Sequence, residues 1–214
     1  MDSNLKKPVI PSFEDQLIDS FESEQLGSSL RAILDILKAH QLRLSILDGA
    51  SYAAIGAALS RYEGLQPYIK GYLQLHHLDL LMRFGGFSAK ALKEHGLVSD
   101  FVAKTCAKRA CNLFQGSIGI GISGFCLDMP VKKETVKGIY LACFIKNRLL
   151  YNSRFIPLNK HQFSNQKEYI DQVVLSCFMV IKEVLYKHVV LGETLNKQHI
   201  AVHSAGKKIE EIEN

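Results

Sequence analysis

The stretch LSILDGASYAAIGAAL, residues 44–59, decides the fold. Its first half alternates apolar and polar residues as a short buried strand does, and Asp48 with Gly49 marks the end of that strand. After Ser51 the small residues predict a helix that packs closely on a sheet. A sharp strand-to-helix turn leaves free backbone N–H groups beside the positive end of the helix dipole, where α/β proteins hold phosphates and oxyanions. We therefore expect a site at residues 48–51.

Composition and length indicate one globular domain with extensions. The chain has 214 residues, of which 47% are hydrophobic and 22% charged, enough to build a full core. The longest apolar run, residues 173–181, is too short to span a bilayer, and the first ten residues lack the apolar segment of a secretory signal. The five cysteines are scattered, as reduced packing residues are. We expect a cytoplasmic protein without a cofactor.

The order of the predicted elements indicates the fold class. The patterns predict helices near residues 30–37 (capped by Ser28 or Ser29), 53–59, 89–94, 99–113 and 165–186, and strands near residues 42–47, 68–75, 117–124, 138–145 and 148–156. In the segment SIGIGISG, residues 117–124, isoleucines face one side and glycines the other, so an element should pack there at backbone distance. We predict an α/β fold, a three-layer α/β/α sandwich with a mixed, mostly parallel sheet.

Charge is distributed unevenly along the chain. Residues 13–26 carry five acidic residues and no Lys or Arg, whereas residues 90–160 carry twelve basic and four acidic residues. This asymmetry suits an anionic partner, or it is a solvated basic surface partnered by the acidic arm. Basic residues interleaved with aromatic ones, as in single-stranded nucleic-acid binders, do not occur, so we expect no nucleic acid and no membrane insertion.

Three segments resemble the CinA C-terminal domain family, known as nicotinamide-nucleotide amidases. They are HGLVSDFVAKTCAKRA at residues 95–110, GSIGIGISG at residues 116–124 and KGIYLACF at residues 137–144. The resemblance spans about residues 30 to 186. It implies hydrolysis of nicotinamide mononucleotide to nicotinic acid mononucleotide and ammonia, and it divides the chain into an acidic arm (1–27), a CinA C-terminal-like domain (28–188) and a tail (189–214).

The family's functional motifs have diverged in this chain. Where the family has an acidic-Ser-Cys-Thr-Gly-Gly motif, the chain has DGASYA, so Asp48 and Ser51 keep the acid and the hydroxyl while Gly49 replaces the serine. The family's Tyr and Lys after the second strand align with Leu75 and Leu80. Of the later glycine-rich loop, only Ser123 and Gly124 remain. The resemblance therefore implies a remnant pocket without catalytic residues, formed by Asp48, Gly49, Ser51, Tyr52, Ser123 and Gly124.

Loss of the nucleophile and the base predicts a pseudoenzyme. We expect a protein-binding adaptor that meets one or more proteins through its extensions, its basic surface or its last helix. By size alone it resembles the virulence-associated adaptor of type IVB secretion coupling complexes. The alternatives are a nicotinamide-nucleotide amidase or related nucleotide hydrolase with a rearranged site built from Ser51, Asp48 and Ser123, and a nucleotide sensor that binds without hydrolysis.

Several single residues allow two interpretations. Ser51 is either a displaced nucleophile or a helix cap, and a cap is the commoner use of serine at this place. His76, His77 and Asp79 suggest a metal site, but neighbouring strand residues point to opposite faces, so we expect none. Cys126 is either a nucleophile or a loop packing residue.

Overall fold

The computed structural model describes residues 24–124, 138–146, 150–158 and 165–192. The helices and strands of these segments, in chain order, are α1 (Glu24–Ala39), β1 (Leu44–Gly49), α2 (Ala54–Arg61), β2 (Ile69–Gln74), α3 (Leu78–Gly85), α4 (Ala89–His95), α5 (Asp100–Phe114), β3 (Ile118–Ser123), β4 (Gly138–Ile145), β5 (Leu150–Pro157) and α6 (Gln166–Leu185). A π-helical turn, Tyr186–Val190, follows α6.

The strands form one mixed sheet in the order β2-β1-β3-β4-β5. Strand β1 pairs in parallel with β2 and β3, whereas β3 with β4 and β4 with β5 are antiparallel. The predicted α/β fold with a mixed sheet is confirmed, with parallel and antiparallel pairings in equal number. Because β1 lies between two parallel strands, its carboxyl end is next to the carboxyl ends of both, which brings the turn at residues 48–51 to the middle of that edge.

Helices cover both faces of the sheet, which makes three layers. Helices α1, α2 and α6 pack with one face into the larger hydrophobic cluster, and α3, α4 and α5 pack against the other face. All six residues of β1 are buried, as expected for a strand covered on both sides. None of the helices in the described segments has both the length and the hydropathy of a membrane-spanning segment.

Strand β3 and α5 approach at backbone distance, as the glycine pattern predicts. A Cβ atom placed on Gly119 or Gly121 would overlap the carbonyl oxygens of Ala107 and Ala103 on α5. The three isoleucines of β3 fill the opposite cluster. The helical spacing of Val102, Cys106 and Ala110 predicts that Leu113 also faces inward, and this expectation is wrong because Leu113 is exposed. In this last turn of α5 the next residue, Phe114, packs on Gly71 of β2 instead.

The element boundaries differ from the predicted ones at three places. Helix α1 begins at Glu24, so Ser28 and Ser29 lie inside it and do not cap it, and Leu26 of the predicted arm is buried. Strand β1 includes Asp48 and Gly49. Helix α3 is an addition to the predicted elements. Its eight residues come directly after a strand pattern, and its N-cap residue, His77, makes no side-chain capping bond. Residues 1–23 of the arm and 193–214 of the tail lie outside the described residues.

The start of α6 agrees with its sequence signal. The Asn165 side-chain oxygen accepts the Glu168 backbone N–H at 2.9 Å, and its amide group donates to the Glu168 carboxylate at 3.1 Å. Asn165 three residues before Glu168 is the sequence signature of a capping box. The bond from the Glu168 N–H is the N-cap bond of that motif, and a bond between the two side chains accompanies it. Because the signal is local, no tertiary information is needed to find it.

Candidate functional site

The carboxyl ends of β1 and β3 bring most of the predicted pocket residues to one edge of the sheet. Gly49 is the register partner of Ser123, and Asp48 is the register partner of Ile122 on one side and Gln74 on the other. Because neighbouring residues of a strand point to opposite faces, the side chains of Asp48 and Ser123 lie on opposite faces of the sheet. The predicted pocket is therefore divided by the sheet.

Asp48 is fully buried and accepts four hydrogen bonds. Its Oδ1 accepts the backbone N–H groups of Ala50 (2.9 Å) and Ser51 (3.0 Å). Its Oδ2 accepts the hydroxyl of Ser51 and, at 2.5 Å, the hydroxyl of Tyr72. A carboxylate offers about four acceptor positions, so these donors use its capacity. The acid that the resemblance assigns to the active site here holds its own turn together.

Ser51 links Asp48 to the first turn of α2. Its buried hydroxyl donates to Asp48 and accepts the backbone N–H of Ile55 at 3.2 Å. It satisfies a helical N–H as a cap does, although the N-cap position itself belongs to Ala53, which offers no side-chain bond. The hydroxyl has its donor and an acceptor position engaged in structural bonds, and no solvent reaches it.

Tyr72 is the residue of this cluster that sequence reasoning missed. Its ring lies against Gly56 of α2, where a Cβ atom would stand 2.8 Å from the ring. Burial raises the pKa of Tyr72 well above its usual range, and the nearby charge of Asp48 and the hydrogen bond to it act in the same direction. The phenol therefore stays a hydrogen-bond donor at neutral pH. Strand β2 alternates in the ordinary way, so only the register with β1 shows that Tyr72 reaches Asp48.

The turn between β1 and α2 has a left-handed backbone. Tyr52 has φ 53° and Ala53 has φ 68°, where non-glycine residues pay roughly 1–2 kcal/mol each. The resemblance places the family's glycine pair at these two positions, and glycine adopts this conformation freely. The backbone here follows a path typical of glycine at two residues that disfavour it.

We expect the substitution Ala53→Gly to raise the free energy of unfolding by about 1 kcal/mol, because it relieves this conformational strain. Urea unfolding followed by circular dichroism would measure it. The matched control is Ala57→Gly, because Ala57 is similarly half-buried but lies inside α2; there glycine should lower stability by a similar amount. A loss of stability at both positions would contradict the interpretation of residue 53.

The remaining pocket positions are tightly packed. A Cβ atom on Gly49 would lie 2.9 Å from the Ile122 carbonyl oxygen, so a serine there would force the backbone to move. A Cβ atom on Gly124 would lie 2.5 Å from Cβ of Ala50. The hydroxyl of Ser123 donates to the Leu97 carbonyl at 3.1 Å and accepts the Ser99 N–H at 3.1 Å. Ser123 thus fixes the start of α5 on the opposite layer.

Leu75 and Leu80, which align with the family's Tyr and Lys, pack in the hydrophobic core. Leu75 is fully buried, its N–H donates to the Asp48 carbonyl at 2.7 Å, and Leu80 packs against the same apolar cluster.

Within the described segments, no three His, Cys, Asp or Glu side chains converge as metal ligands would. Burial raises the pKa of the Cys106 thiol to about 12, so it stays protonated. Phe125 and Cys126, and the rest of that loop, lie outside the described residues.

Several solved structures share this architecture. The competence/damage-inducible protein CihA from Agrobacterium tumefaciens superposes with a TM-score of 0.66 at 16% identity, covering 75% of this chain and 95% of that one. A competence or damage-inducible protein from Enterobacter asburiae gives a TM-score of 0.63 at 18% identity, covering 74% and 97%. The superpositions show a common fold, and at identities this low they show nothing more.

Sequence relatives are bacterial proteins. A CinA-like protein from Picosynechococcus is 27% identical over 127 residues, which are 59% of this chain and 29% of that protein. Protein MG115 from Mycoplasma genitalium is 21% identical over 146 residues, 68% of this chain and 92% of that protein. The match to competence-damage inducible proteins from Streptococcus agalactiae spans only 23% of their length.

A family model for the CinA C-terminal domain matches residues 28–185, about three quarters of the chain. The match includes every helix and strand that builds the sheet and its two covering layers. The chain belongs to the CinA C-terminal domain family.

Proposed function

We propose that this chain is a CinA-family domain without amidase activity that works as a protein-binding adaptor. The observation that carries the proposal is the cluster at the end of β1, where Asp48, Ser51 and Tyr72 bond to one another. All the side-chain groups that would act on a substrate there are engaged within the protein. Gly49, at the position of the candidate nucleophile, offers none.

Amide hydrolysis needs a nucleophile with a base in reach. The hydroxyl of Ser51 contacts the carboxyl group of Asp48, and this contact is what favours the alternative of a rearranged amidase or nucleotide hydrolase. However, Ser51 and Asp48 are both inaccessible to solvent, so a substrate has no approach to them. The leucines at positions 75 and 80 accept no proton.

Four backbone N–H groups of this turn are already bonded within the protein and do not offer themselves to a phosphate. Backbone N–H groups at a helix start bind anions when they point outward and are unpaired. Here four such groups donate within the turn: those of Ala50 and Ser51 to Asp48, and those of Ala54 and Ile55 to the Ser51 carbonyl and hydroxyl oxygens. This arrangement disfavours both the hydrolase and the nucleotide sensor.

An adaptor needs surface rather than a pocket. Exposed apolar side chains on the last helix and the uneven charge of the chain provide such surface. A bacterial secretion coupling complex, or another virulence complex, is the setting that we propose, on the resemblance in size alone. A tagged full-length chain produced in its native cell should then retain a defined protein through washing, and recovery of none would count against the adaptor role.

The amidase alternative has a direct test. Purified protein incubated with nicotinamide mononucleotide should release no ammonia above a protein-free blank, whereas an active CinA amidase assayed in parallel should. Removal of a nucleophile–base unit costs orders of magnitude in rate, about a millionfold in well-studied hydrolases, so the expected difference is large. Turnover that disappears in Ser51→Ala would overturn the proposal and establish the rearranged site.

A further inference from the structure

The outer side of α6 and the turn after it carries a row of exposed apolar side chains, which we call the outer stripe. It consists of Met179, Tyr186, Val190 and Leu191, which are 45%, 51%, 43% and 54% exposed. Seven large apolar side chains are exposed in the described segments, and four of them fall in this one stretch. Single exposed apolar residues are ordinary, but several gathered on one side of one helix indicate an interaction surface.

The stripe is separate from the face of α6 that packs into the core. Cys177, Phe178, Ile181, Val184 and Leu185 are buried on the inner side, so the core does not need the outer residues. Met179 and Tyr186 are seven residues apart, about two turns, and therefore share a side of the helix. The π-helical turn closes with the Leu191 N–H donating to the Tyr186 carbonyl at 3.0 Å, which continues the stripe by one turn.

Charged side chains lie between and beside the apolar residues of the stripe, and most of them are basic. Glu183 accepts hydrogen bonds from Arg154 at 3.0 Å and from Lys187 at 2.7 Å, and Lys182 lies one position before it. The two cations lower the pKa of Glu183, so its charge is present and already paired. Three cations against one anion leave a positive surplus along the stripe, and it attracts carboxylates on whatever covers the apolar residues.

We propose that the outer stripe binds an amphipathic helix of a partner protein, with an apolar side against the stripe and acidic residues facing Lys182 and Lys187. The stretch 179–191 is about 18 Å long, which matches about three turns of a helix laid along it. A second copy of this chain would bring the same positive surplus, so an acidic partner fits better. This inference rests on the proposed adaptor function and specifies its partner.

Three synthetic peptides of about 18 residues test the chemistry of the partner. The first has leucines at i, i+3, i+4 and i+7 with glutamate flanks, the second replaces the glutamates by lysines, and the third has the first's composition with the leucines dispersed. Titrated with the full-length chain by fluorescence anisotropy, the first should bind in about the micromolar range. The second and third peptides should bind at least about tenfold more weakly. Added salt should weaken the binding of the first peptide.

The double substitution Met179→Ser with Tyr186→Ser should lower the affinity for the glutamate peptide by about tenfold or more. The matched control is Leu113→Ser, which removes a 38% exposed apolar side chain from α5 on the other layer and should leave binding unchanged. Melting curves should coincide for all variants, because surface substitutions shift stability little.

The inference is overturned if the dispersed peptide binds equally well, or if the double substitution has no effect. It is also overturned if sedimentation shows self-association that the double substitution removes, since a second copy would then cover the stripe. Ammonia release from nicotinamide mononucleotide with peptide binding intact would refute only the loss of amidase activity. Absent peptide binding without turnover would refute only this docking site.

Discussion

Replacing Asp48 by alanine should lower the free energy of unfolding by about 3–5 kcal/mol, because it leaves three buried donors and one partly buried donor without a partner. The donors are the N–H groups of Ala50 and Ser51 and the hydroxyls of Ser51 and Tyr72. Each unpaired buried donor costs about 1–3 kcal/mol before relaxation. A carboxyl group kept for catalysis would behave differently, since its removal would cost activity rather than stability.

Urea unfolding of Asp48→Ala and its comparison variants measures this effect. Asp48→Asn keeps one acceptor oxygen and should lose less than Asp48→Ala. Asp35→Ala removes an exposed carboxyl group from α1 and should stay within about 0.5 kcal/mol of the parent. Tyr72→Phe combined with Asp48→Ala should lose less than the sum of the two single changes, because they share one hydrogen bond. A loss below about 1 kcal/mol for Asp48→Ala would show that the cluster does not stabilise the turn.

The substitution Gly121→Ala should cost more than about 3 kcal/mol or prevent folding, because the added methyl group has no space between β3 and α5. It would overlap the backbone of Ala103 and Ala107, and backbone atoms of a packed helix cannot turn aside as a flexible side chain can. The layers would have to separate, which would open voids among Val102, Cys106 and Ala110. We expect a lower midpoint of unfolding, or aggregation on expression.

Gly27→Ala is the matched control for this prediction. Gly27 lies inside α1 with no atom within 4 Å of an added Cβ, so alanine should raise stability by about 0.5–1 kcal/mol through helix propensity. The same chemical change then has opposite signs at two sites. Equal effects at both would mean that β3 and α5 are not in backbone contact.

The sequence predicts those parts of the fold that depend on local signals. The alternation of isoleucine and glycine in β3 shows both its buried face and the close approach of α5, and Asn165 with Glu168 marks the start of α6. The candidate site was only partly predictable. The pattern locates the turn at Asp48, but the pairing of Tyr72 with that carboxyl group depends on the register of β2 against β1, which no local pattern encodes.

The missed features share a tertiary cause. Leu113 follows the helical period of its neighbours, yet Phe114 is the residue of the last turn that packs against the sheet, at Gly71. Ser28 and Ser29 are typical capping residues, but burial of Leu26 extends α1 past them toward the amino terminus. Helix α3 is short and stabilised by packing against α5, so its propensity alone does not reveal it.

The positive φ angles of Tyr52 and Ala53 bear on how distant members of this family can be compared. A motif written as amino-acid letters loses this turn once its glycines are replaced. In this chain the dihedral angles of Tyr52 and Ala53 are of the left-handed kind that glycine favours, because β1 and α2 are each anchored and only a few residues connect them. A search by backbone torsion angles at the first strand-to-helix connection would therefore group chains whose catalytic side chains differ. It would separate changes in catalytic residues from changes in backbone conformation.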